Sequence, residues 1–313
     1  MLVAALHAGV GLVLLYLGGE GLVRGATNLA LRLGIGPLAV GLTVVAFGTS
    51  APELAVSLDA ALEGFEEVAV GNVVGSNICN LALILGLSSV LRPMGVQPQV
   101  LRVDAPVMAG CALLLVVMLV DGRVSRMEGA LLVGGILTYV ATSLRRARRE
   151  HRENHHGARA LAGRPGSLAV DAAFVLVGLG GLGLGGKLFV QGAVELAELL
   201  GVSQAVIGLT VVAVGTSLPE LATSVVGAAR GQGDIAIGNL IGSNIFNVLA
   251  ILGLTALVHP LARGGVGWWD IGAMAAICVA ILPLLATRLR LGRVEGLLLL
   301  AGYGVWLFGS IVG

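Results

Sequence analysis

Two glutamates interrupt long apolar stretches of the sequence. Glu53 and Glu220 lie 167 positions apart, and each ends the same run, Gly-Thr-Ser-x-Pro-Glu. A carboxylate inside an apolar span is costly to bury and usually serves a function. The alternative is an acid kept neutral by hydrogen bonds. The duplication favours a functional pair.

The proline of each run predicts a helix break beside the glutamate. Pro52 and Pro219 have no N–H to donate and clash with the preceding turn, and a glycine four positions earlier relaxes the backbone further. Such a break frees carbonyls over residues 46–48 and 213–215. Free carbonyls in an apolar medium must face a cavity or a ligand. Hydroxyl groups precede each glutamate by four and three positions, and we expect them to converge with it: Thr49 and Ser50, then Thr216 and Ser217.

A second duplicated motif supplies further oxygen atoms. Residues 71–80 read GNVVGSNICN and residues 238–247 read GNLIGSNIFN. Side chains four positions apart share a helical face, which groups Ser76 with Asn80 and Ser243 with Asn247. Hydrogen bonding between helices is the simpler role for each of them alone. Beside duplicated glutamates, a ligand role is favoured.

These side chains together form a set of hard oxygen donors with two formal negative charges. Oxygen donors of this kind suit Na⁺ and Ca²⁺. Softer metals prefer thiolate and imidazole ligands, so such a metal would not suit this set of oxygen donors.

The composition indicates that the motifs lie in a membrane. The 313 residues are 57% hydrophobic and 12% charged, with a mean hydropathy of +0.97. Soluble domains carry about a quarter charged residues, so a cytosolic enzyme or a disordered chain fits poorly. A formal net charge of +1 offers no basic surface to nucleic acid. Three cysteines in apolar runs, Cys79, Cys111 and Cys278, are expected to be packing residues and not disulfides.

Ten apolar stretches are long enough to span a bilayer, which takes about 20 residues each. Five precede and five follow a polar interval at 145–167 that carries seven arginines. We expect this interval to be a solvated linker between a first unit, 1–144, and a second, 168–313. The stretches lie near residues 3–30, 37–60, 68–91, 104–120 and 127–144, then 168–199, 204–229, 235–258, 268–287 and 294–312.

The two units repeat each other at a constant offset of 167. Residues 41–87 and 208–254 are identical at 28 of 47 positions. Because each unit has an odd number of spans, the second enters the membrane from the opposite side. The sequence therefore predicts an all-α polytopic membrane protein with ten transmembrane helices, arranged as two inverted-topology five-helix repeats. Secondary transporters use this architecture.

Arginine placement predicts the orientation. Fifteen of the eighteen arginines fall on the side of the 145–167 linker. Because cytoplasmic loops are enriched in Lys and Arg, we expect a multi-pass protein of the cell membrane with a cytoplasmic linker and both termini outside. Glu20 and Lys187, equivalent in the two units, are expected to snorkel to the headgroups.

The doubled motifs GTSxPE and GNxxGSNxxN resemble the two alpha repeats of the calcium/cation antiporter superfamily, and prokaryotic sodium/calcium exchangers most of all. The resemblance covers essentially all ten spans. It implies antiport of Ca²⁺ against Na⁺ by alternating access, with no cofactor and with the first and sixth spans sliding across the others. It places ion ligands on Thr49, Ser50, Glu53, Ser76 and Asn80, on Thr216, Ser217, Glu220, Ser243 and Asn247, and on the backbone oxygens of Ala46 and Ala213.

One departure from the family pattern leaves the stoichiometry open. Some members carry an Asp in one half, where this sequence has Asn in both, Asn80 and Asn247, so its site has one carboxylate fewer. Exchange against H⁺, or with a K⁺ requirement, stays open as an alternative because buried carboxylates can carry protons. A remote alternative is an intramembrane hydrolase using Ser50 or Ser217, although no histidine lies in the motifs. A glycine-rich run at 178–183 lacks the strand context of a nucleotide site.

Overall fold

A computed structural model describes residues 2–33, 35–153, 167–199, 213–286 and 289–312. Nearly all of these residues are helical. In the first half the helices are α1 (Leu2–Leu33), α2 (Pro37–Thr49), α3 (Ala51–Leu62), α4 (Glu66–Leu91), α5 (Val100–Asp121) and α6 (Arg126–Glu153). In the second half they are α7 (Leu168–Leu199), α8 (Ala213–Gly215), α9 (Leu218–Ala229), α10 (Gly233–Val258), α11 (Trp268–Ala286) and α12 (Arg293–Val312). Four two-residue strands complete the described elements: β1 (Met94–Gly95), β2 (Arg123–Val124), β3 (Leu261–Ala262) and β4 (Arg290–Leu291).

The helices confirm an all-helical polytopic membrane fold. Seven helices in the described ranges are long and apolar enough to cross a bilayer, and the bent pair α2 and α3 makes an eighth. The start of the predicted seventh span, residues 204–212, and most of the predicted linker, residues 154–166, lie outside the described residues. The count of ten therefore stays a prediction.

The polar interval begins inside a helix. The apolar part of α6 ends near the predicted boundary, but the helix continues to Glu153, nine residues into the predicted 145–167 linker. Arg, Ala and Glu are strong helix formers, so a hydropathy boundary does not end the backbone hydrogen bonding.

Helices α4 and α10 form the centre of the bundle. In the apolar segment of α10, 83% of the residues are buried inside the protein, against 28% in that of α1. Both central helices contain a stretch of π-helix, Cys79–Leu85 in α4 and Asn247–Leu252 in α10. Such π-turns often occur at functional sites, and these two begin within the duplicated GSNxxN motifs.

The short strands connect the halves reciprocally. β1 pairs with β4, and β2 pairs with β3, both antiparallel. At the offset of 167, Met94 is equivalent to Leu261 and Arg123 to Arg290. Exchanging the two halves therefore maps one sheet onto the other.

Helices α1 and α7 pack antiparallel through glycines spaced seven residues apart. Gly18 of α1 faces α7, where a Cβ atom would lie 2.7 Å from the Leu182 amide nitrogen. Gly185 of α7 faces α1, where a Cβ atom would lie 2.8 Å from the Leu15 amide nitrogen. Such glycines let helix backbones touch in a bilayer, where packing drives association.

We expect Gly18→Ala to loosen the α1–α7 contact, because its methyl group meets backbone atoms that cannot rotate away. Overpacking of this kind costs about 1–3 kcal/mol. The measurement is thermal unfolding of the purified protein, followed by the fluorescence of a thiol-reactive dye.

Gly9→Ala is the matched control, since nothing lies within 4 Å of its Cβ position on the same helix. This variant should unfold at or slightly above the wild-type temperature, because Ala has the higher helix propensity. Equal unfolding temperatures for the two variants would show that the glycine face does not hold the helices together.

Candidate cation-binding site

The helix break predicted beside each glutamate is present. α2 and α3 meet at Ser50 with a bend of 42°. The second half breaks at Ser217, whose φ of −87° and ψ of 8° match the −85° and 6° of Ser50. In each case the proline is among the first two residues of the following helix, where its missing N–H costs nothing.

The break frees the Gly48 carbonyl, one of those predicted over residues 46–48, and the Ala46 carbonyl keeps hydrogen-bond partners. The Ala46 oxygen accepts the Ser50 amide at 3.0 Å and the Thr49 hydroxyl at 3.4 Å. Pro52 has no N–H for the carbonyl of Gly48, four residues earlier, so that oxygen loses its helical partner. Ala213 begins α8, and its side chain lies outside the described residues.

Both glutamates are buried at the centre of the bundle, with exposures of 1% for Glu53 and 0% for Glu220. Each accepts a hydrogen bond from the serine of the opposite half. Ser50 donates to Glu220 Oε1 at 2.8 Å, and Ser217 donates to Glu53 Oε1 at 3.4 Å. Ser243 adds a donation to Glu220 Oε1 at 3.3 Å. The two broken helices therefore face each other and share one polar cluster.

The second oxygen of each glutamate has no hydrogen-bond partner among the described residues. The same holds for three neighbouring groups of the duplicated motifs. These buried atoms are Glu53 Oε2, Glu220 Oε2, Ser76 Oγ, Asn80 Oδ1 and Asn247 Oδ1. Leaving a buried polar atom without a hydrogen bond costs about 1–3 kcal/mol. Five such oxygen atoms in the predicted site are consistent with a bound cation that accepts oxygen ligands.

The two threonines differ in burial. Thr49 is buried, and its hydroxyl lies 3.0 Å from Asn239 Oδ1 and 3.1 Å from the Val45 carbonyl. It is therefore engaged by α10 and its own helix. Thr216 is half-buried at the end of α8.

Four asparagines that the sequence reasoning did not select also contact the site. Asn72 donates to the Glu53 carbonyl at 3.1 Å and to Ser57 Oγ at 2.9 Å. Its equivalent, Asn239, donates to Ser224 at 3.2 Å. Asn77 and Asn244 link α4 to α10. Their identity in both halves, at the offset of the glutamates, is a signal that could have found them.

The chemistry of the cluster is that of neutral oxygens around two carboxyl groups. Within the described ranges, no three His, Cys, Asp or Glu side chains come together as a metal cluster. All three cysteines are free and buried, as predicted. The ion pairs found in these ranges join Arg32 to Asp171, Arg230 to Glu20 and His259 to Glu66, and none involves the two central glutamates.

Comparisons with known proteins place this fold among membrane transporters. The family model described as sodium/calcium exchanger protein matches residues 3–145 and 170–312. The chain belongs to the sodium/calcium exchanger family. Its family and structural neighbours are transporters, and the protein is not an enzyme.

Three relatives illustrate the match. A sodium/calcium exchanger from Methanococcus jannaschii has a solved structure that superposes with a TM-score of 0.85 at 30% identity over 98% of each chain. Sodium/calcium exchanger MaX1 from Methanosarcina acetivorans is 34% identical over 95% of each chain. Inner membrane protein YrbG from Escherichia coli is 37% identical over 98% of this chain and 96% of its own.

Proposed function

We propose that the protein exchanges Na⁺ for Ca²⁺ across the membrane, with both ions bound between Glu53 and Glu220. The observation that carries the proposal is the pair of buried carboxylates, which form no ion pair with a cationic side chain among the described residues. Two carboxylates neutralise one Ca²⁺ or two Na⁺, and the unpartnered hydroxyl and amide oxygens complete a hard coordination shell. The proposed ligands are those predicted from the sequence: Ala46, Thr49, Ser50, Glu53, Ser76, Asn80, Ala213, Thr216, Ser217, Glu220, Ser243 and Asn247.

The proposed architecture is ten spans in two inverted repeats, 1–144 and 168–313, joined by the linker. Antiparallel packing of the equivalent helices α1 and α7 supports it, since equivalent helices in a bundle then run in opposite directions. The exchanged strand pairs support it as well.

A difference between the halves supports alternating access. Gly19 of α1 packs on α9, where a Cβ atom would lie 3.1 Å from the Ala222 oxygen. The equivalent contact, Gly186 of α7 against Ala55 of α3, is not made: Gly186 lies near Gly215 and Leu218 instead, and Ala55 is exposed. Gly19 of α1 thus packs on α9, whereas the equivalent glycine of α7 does not pack on α3.

The missing contact between α7 and α3 indicates on which side of the membrane the site opens, once the orientation of the protein is assigned. α3 ends at Leu62, in a loop that the arginine distribution places outside. Both glutamates are buried in the state described, and we infer that the site opens outward along α3 and that sliding of α1 and α7 opens it inward. Inner-membrane residence, a cytoplasmic linker and external termini belong to the same proposal, and the E. coli relative's name agrees with the membrane. The linker itself lies mostly outside the described residues.

Exchange follows from the charge of the empty site. Two close carboxylates in a low dielectric repel each other unless a cation or a proton lies between them. Without an ion, α1 and α7 would have to slide past the site while that repulsion is uncompensated. The transition is therefore favoured only with ions bound, which couples Ca²⁺ movement to Na⁺ movement.

Reconstituted protein tests the proposal. We expect an imposed Na⁺ gradient to drive Ca²⁺ uptake into liposomes, and a pH gradient or K⁺ alone to drive none. Glu53→Gln and Glu220→Gln should each abolish uptake, because either removes half of the charge that offsets Ca²⁺ dehydration. The measurement is ⁴⁵Ca²⁺ accumulation with each gradient imposed separately.

Asp59→Asn is the matched control, since Asp59 is an exposed carboxylate on the same helix as Glu53. It should transport at the wild-type rate. Uptake driven by the pH gradient without Na⁺ would replace Na⁺ with H⁺ as the coupling ion. Wild-type uptake by either glutamine variant would disprove the site.

A further inference from the structure

Four asparagines form a hydrogen-bonded group between the two central helices, which we call the asparagine quartet: Asn77 and Asn80 of α4, and Asn244 and Asn247 of α10. All four are buried. Asn80 Nδ2 donates to Asn244 Oδ1 at 3.1 Å, and Asn247 Nδ2 donates to Asn77 Oδ1 at 3.0 Å. At the offset of 167 these two bonds are equivalent, so each half contributes the donor of one and the acceptor of the other.

A backbone carbonyl fixes the direction of the first bond. Asn244 Nδ2 donates to the Asn77 carbonyl at 3.2 Å. Because a carbonyl oxygen only accepts, the Asn244 amide must turn its NH₂ group there and its oxygen towards Asn80. Asn80 must then present its NH₂ group to Asn244. Its own oxygen is left pointing elsewhere, buried and without a partner among the described residues.

The second bond has the same outcome. Asn77 directs its Nδ2 to the Met274 sulfur at 3.7 Å, which leaves its oxygen for the Asn247 amide. The Asn247 oxygen is also buried and unpartnered in the described ranges. In both halves the cross-helix hydrogen bond is therefore donated by the NH₂ group, of Asn80 or of Asn247, and the amide oxygen of that residue stays available.

We propose that Asn77 and Asn244 are positioning residues that hold the Asn247 and Asn80 amides with their oxygens towards the transported cation. This rests on the proposed exchange function and adds two residues to its machinery. A freely rotating amide would offer its NH₂ group to the site for part of the time, and that group repels a cation. Each positioning residue acts on the ligand of the opposite repeat.

A double-mutant cycle tests this arrangement, because residues that act through one another are not additive. Removing a residue that orients a metal ligand typically costs about 10–100-fold in metal affinity. Asn80→Ala and Asn244→Ala should each weaken Ca²⁺ binding about tenfold, and the double variant should be no weaker than either. The measurement is Ca²⁺ titration calorimetry of the purified full-length protein.

The same-helix pair is the control. Asn244→Ala with Asn247→Ala should be additive, about a hundredfold, because those two side chains are not bonded to each other. If Asn244→Ala does not fold, Asn77→Ala gives the equivalent cycle, non-additive with Asn247→Ala and additive with Asn80→Ala. Additivity of the cross-helix pairs, or wild-type Ca²⁺ affinity in Asn80→Ala and Asn247→Ala, would overturn the positioning role and leave exchange intact. Wild-type protein that binds no Ca²⁺ would refute the function and this role together.

A separate observation concerns two charged residues within the helices proposed to slide, Glu20 of α1 and Lys187 of α7. Glu20 of α1 does not merely snorkel: it forms an ion pair with Arg230, the residue that follows α9. At the offset of 167, Glu20 is equivalent to Lys187 of α7, and Arg230 to Glu63 after α3. Lys187 and Glu63 therefore also carry opposite charges, each reversed relative to its equivalent in the Glu20–Arg230 pair. Lys187 and Glu63 are exposed and form no ion pair with the described residues.

The contacts between α1 and α7 are extensive enough for the two helices to move together. Their glycine faces interlock, and near one end Asp171 of α7 pairs with Arg32 and accepts a hydrogen bond from Asn28 at 3.0 Å. A displacement that separates Glu20 from Arg230 on one side therefore carries Lys187 with it on the other.

The geometry points to two ion pairs that alternate, Glu20–Arg230 in the state described and Lys187–Glu63 after α1 and α7 have slid. The inference rests on the proposed alternating access and assigns a closing contact to each side of the membrane. In an inverted repeat the two halves can exchange conformations, and exchange converts one pair into the other. Each contact closes the side that the other leaves open.

Paired cysteines test the alternation. Glu20→Cys with Arg230→Cys, and Glu63→Cys with Lys187→Cys, should both cross-link in liposomes under Na⁺ and Ca²⁺. Each cross-link should stop Ca²⁺ uptake, and a reductant should restore it. Glu63→Cys with Arg230→Cys is the control that should never cross-link, because the two positions cap opposite ends of the bundle.

A charge exchange covers the case of a misfolded cysteine pair. Glu20→Arg alone should slow uptake, and Glu20→Arg with Arg230→Glu should restore it. Failure of the Glu63–Lys187 pair to cross-link in protein that transports would overturn the alternation while leaving the exchange function standing. Unaltered uptake by Glu20→Arg would overturn it as well.

Discussion

The burial of two carboxylates among neutral groups is the constraint on which the rest of the structure depends. Glu53 and Glu220 are buried, and serine hydroxyls donate a hydrogen bond to one carboxyl oxygen of each. Removing an ion from water costs several kcal/mol even after relaxation. A site of this kind gains most of its stabilisation from a cation that enters it, which is what a transporter of cations requires.

The duplication supplies the geometry that one copy cannot. Ser50 and Ser217 each donate a hydrogen bond to the glutamate of the other half. Asn80 and Asn247 each donate one to an asparagine side chain of the other half. A single repeat would therefore leave both its carboxylate and its amide without their cross-helix partners. The equivalent glycines of α1 and α7 nevertheless differ in their contacts: Gly19 packs on α9, and Gly186 does not pack on α3.

The sequence predicted the glutamates, the helix breaks and most of the polar cluster because those features depend on local spacing and on the cost of charge in an apolar span. It did not predict Asn77 and Asn244, whose role depends on which way an amide turns across a helix interface. It assigned Glu20 to the headgroups because the Arg230 contact joins distant parts of the chain. The helical continuation of α6 to Glu153 was missed for another reason: hydropathy marks where a span ends, and hydrogen bonding decides where a helix ends.

The central claim is that the transported ion lies between the two glutamates. Anomalous scattering from crystals soaked in Sr²⁺, a heavier analogue of Ca²⁺, locates the ion directly. The account requires a peak bonded to Oε2 of both Glu53 and Glu220, at about the 2.3–2.6 Å of calcium–oxygen bonds or slightly longer. A peak confined to the surface cavity lined by Glu67 and Asp270, with none between the central glutamates, would contradict it.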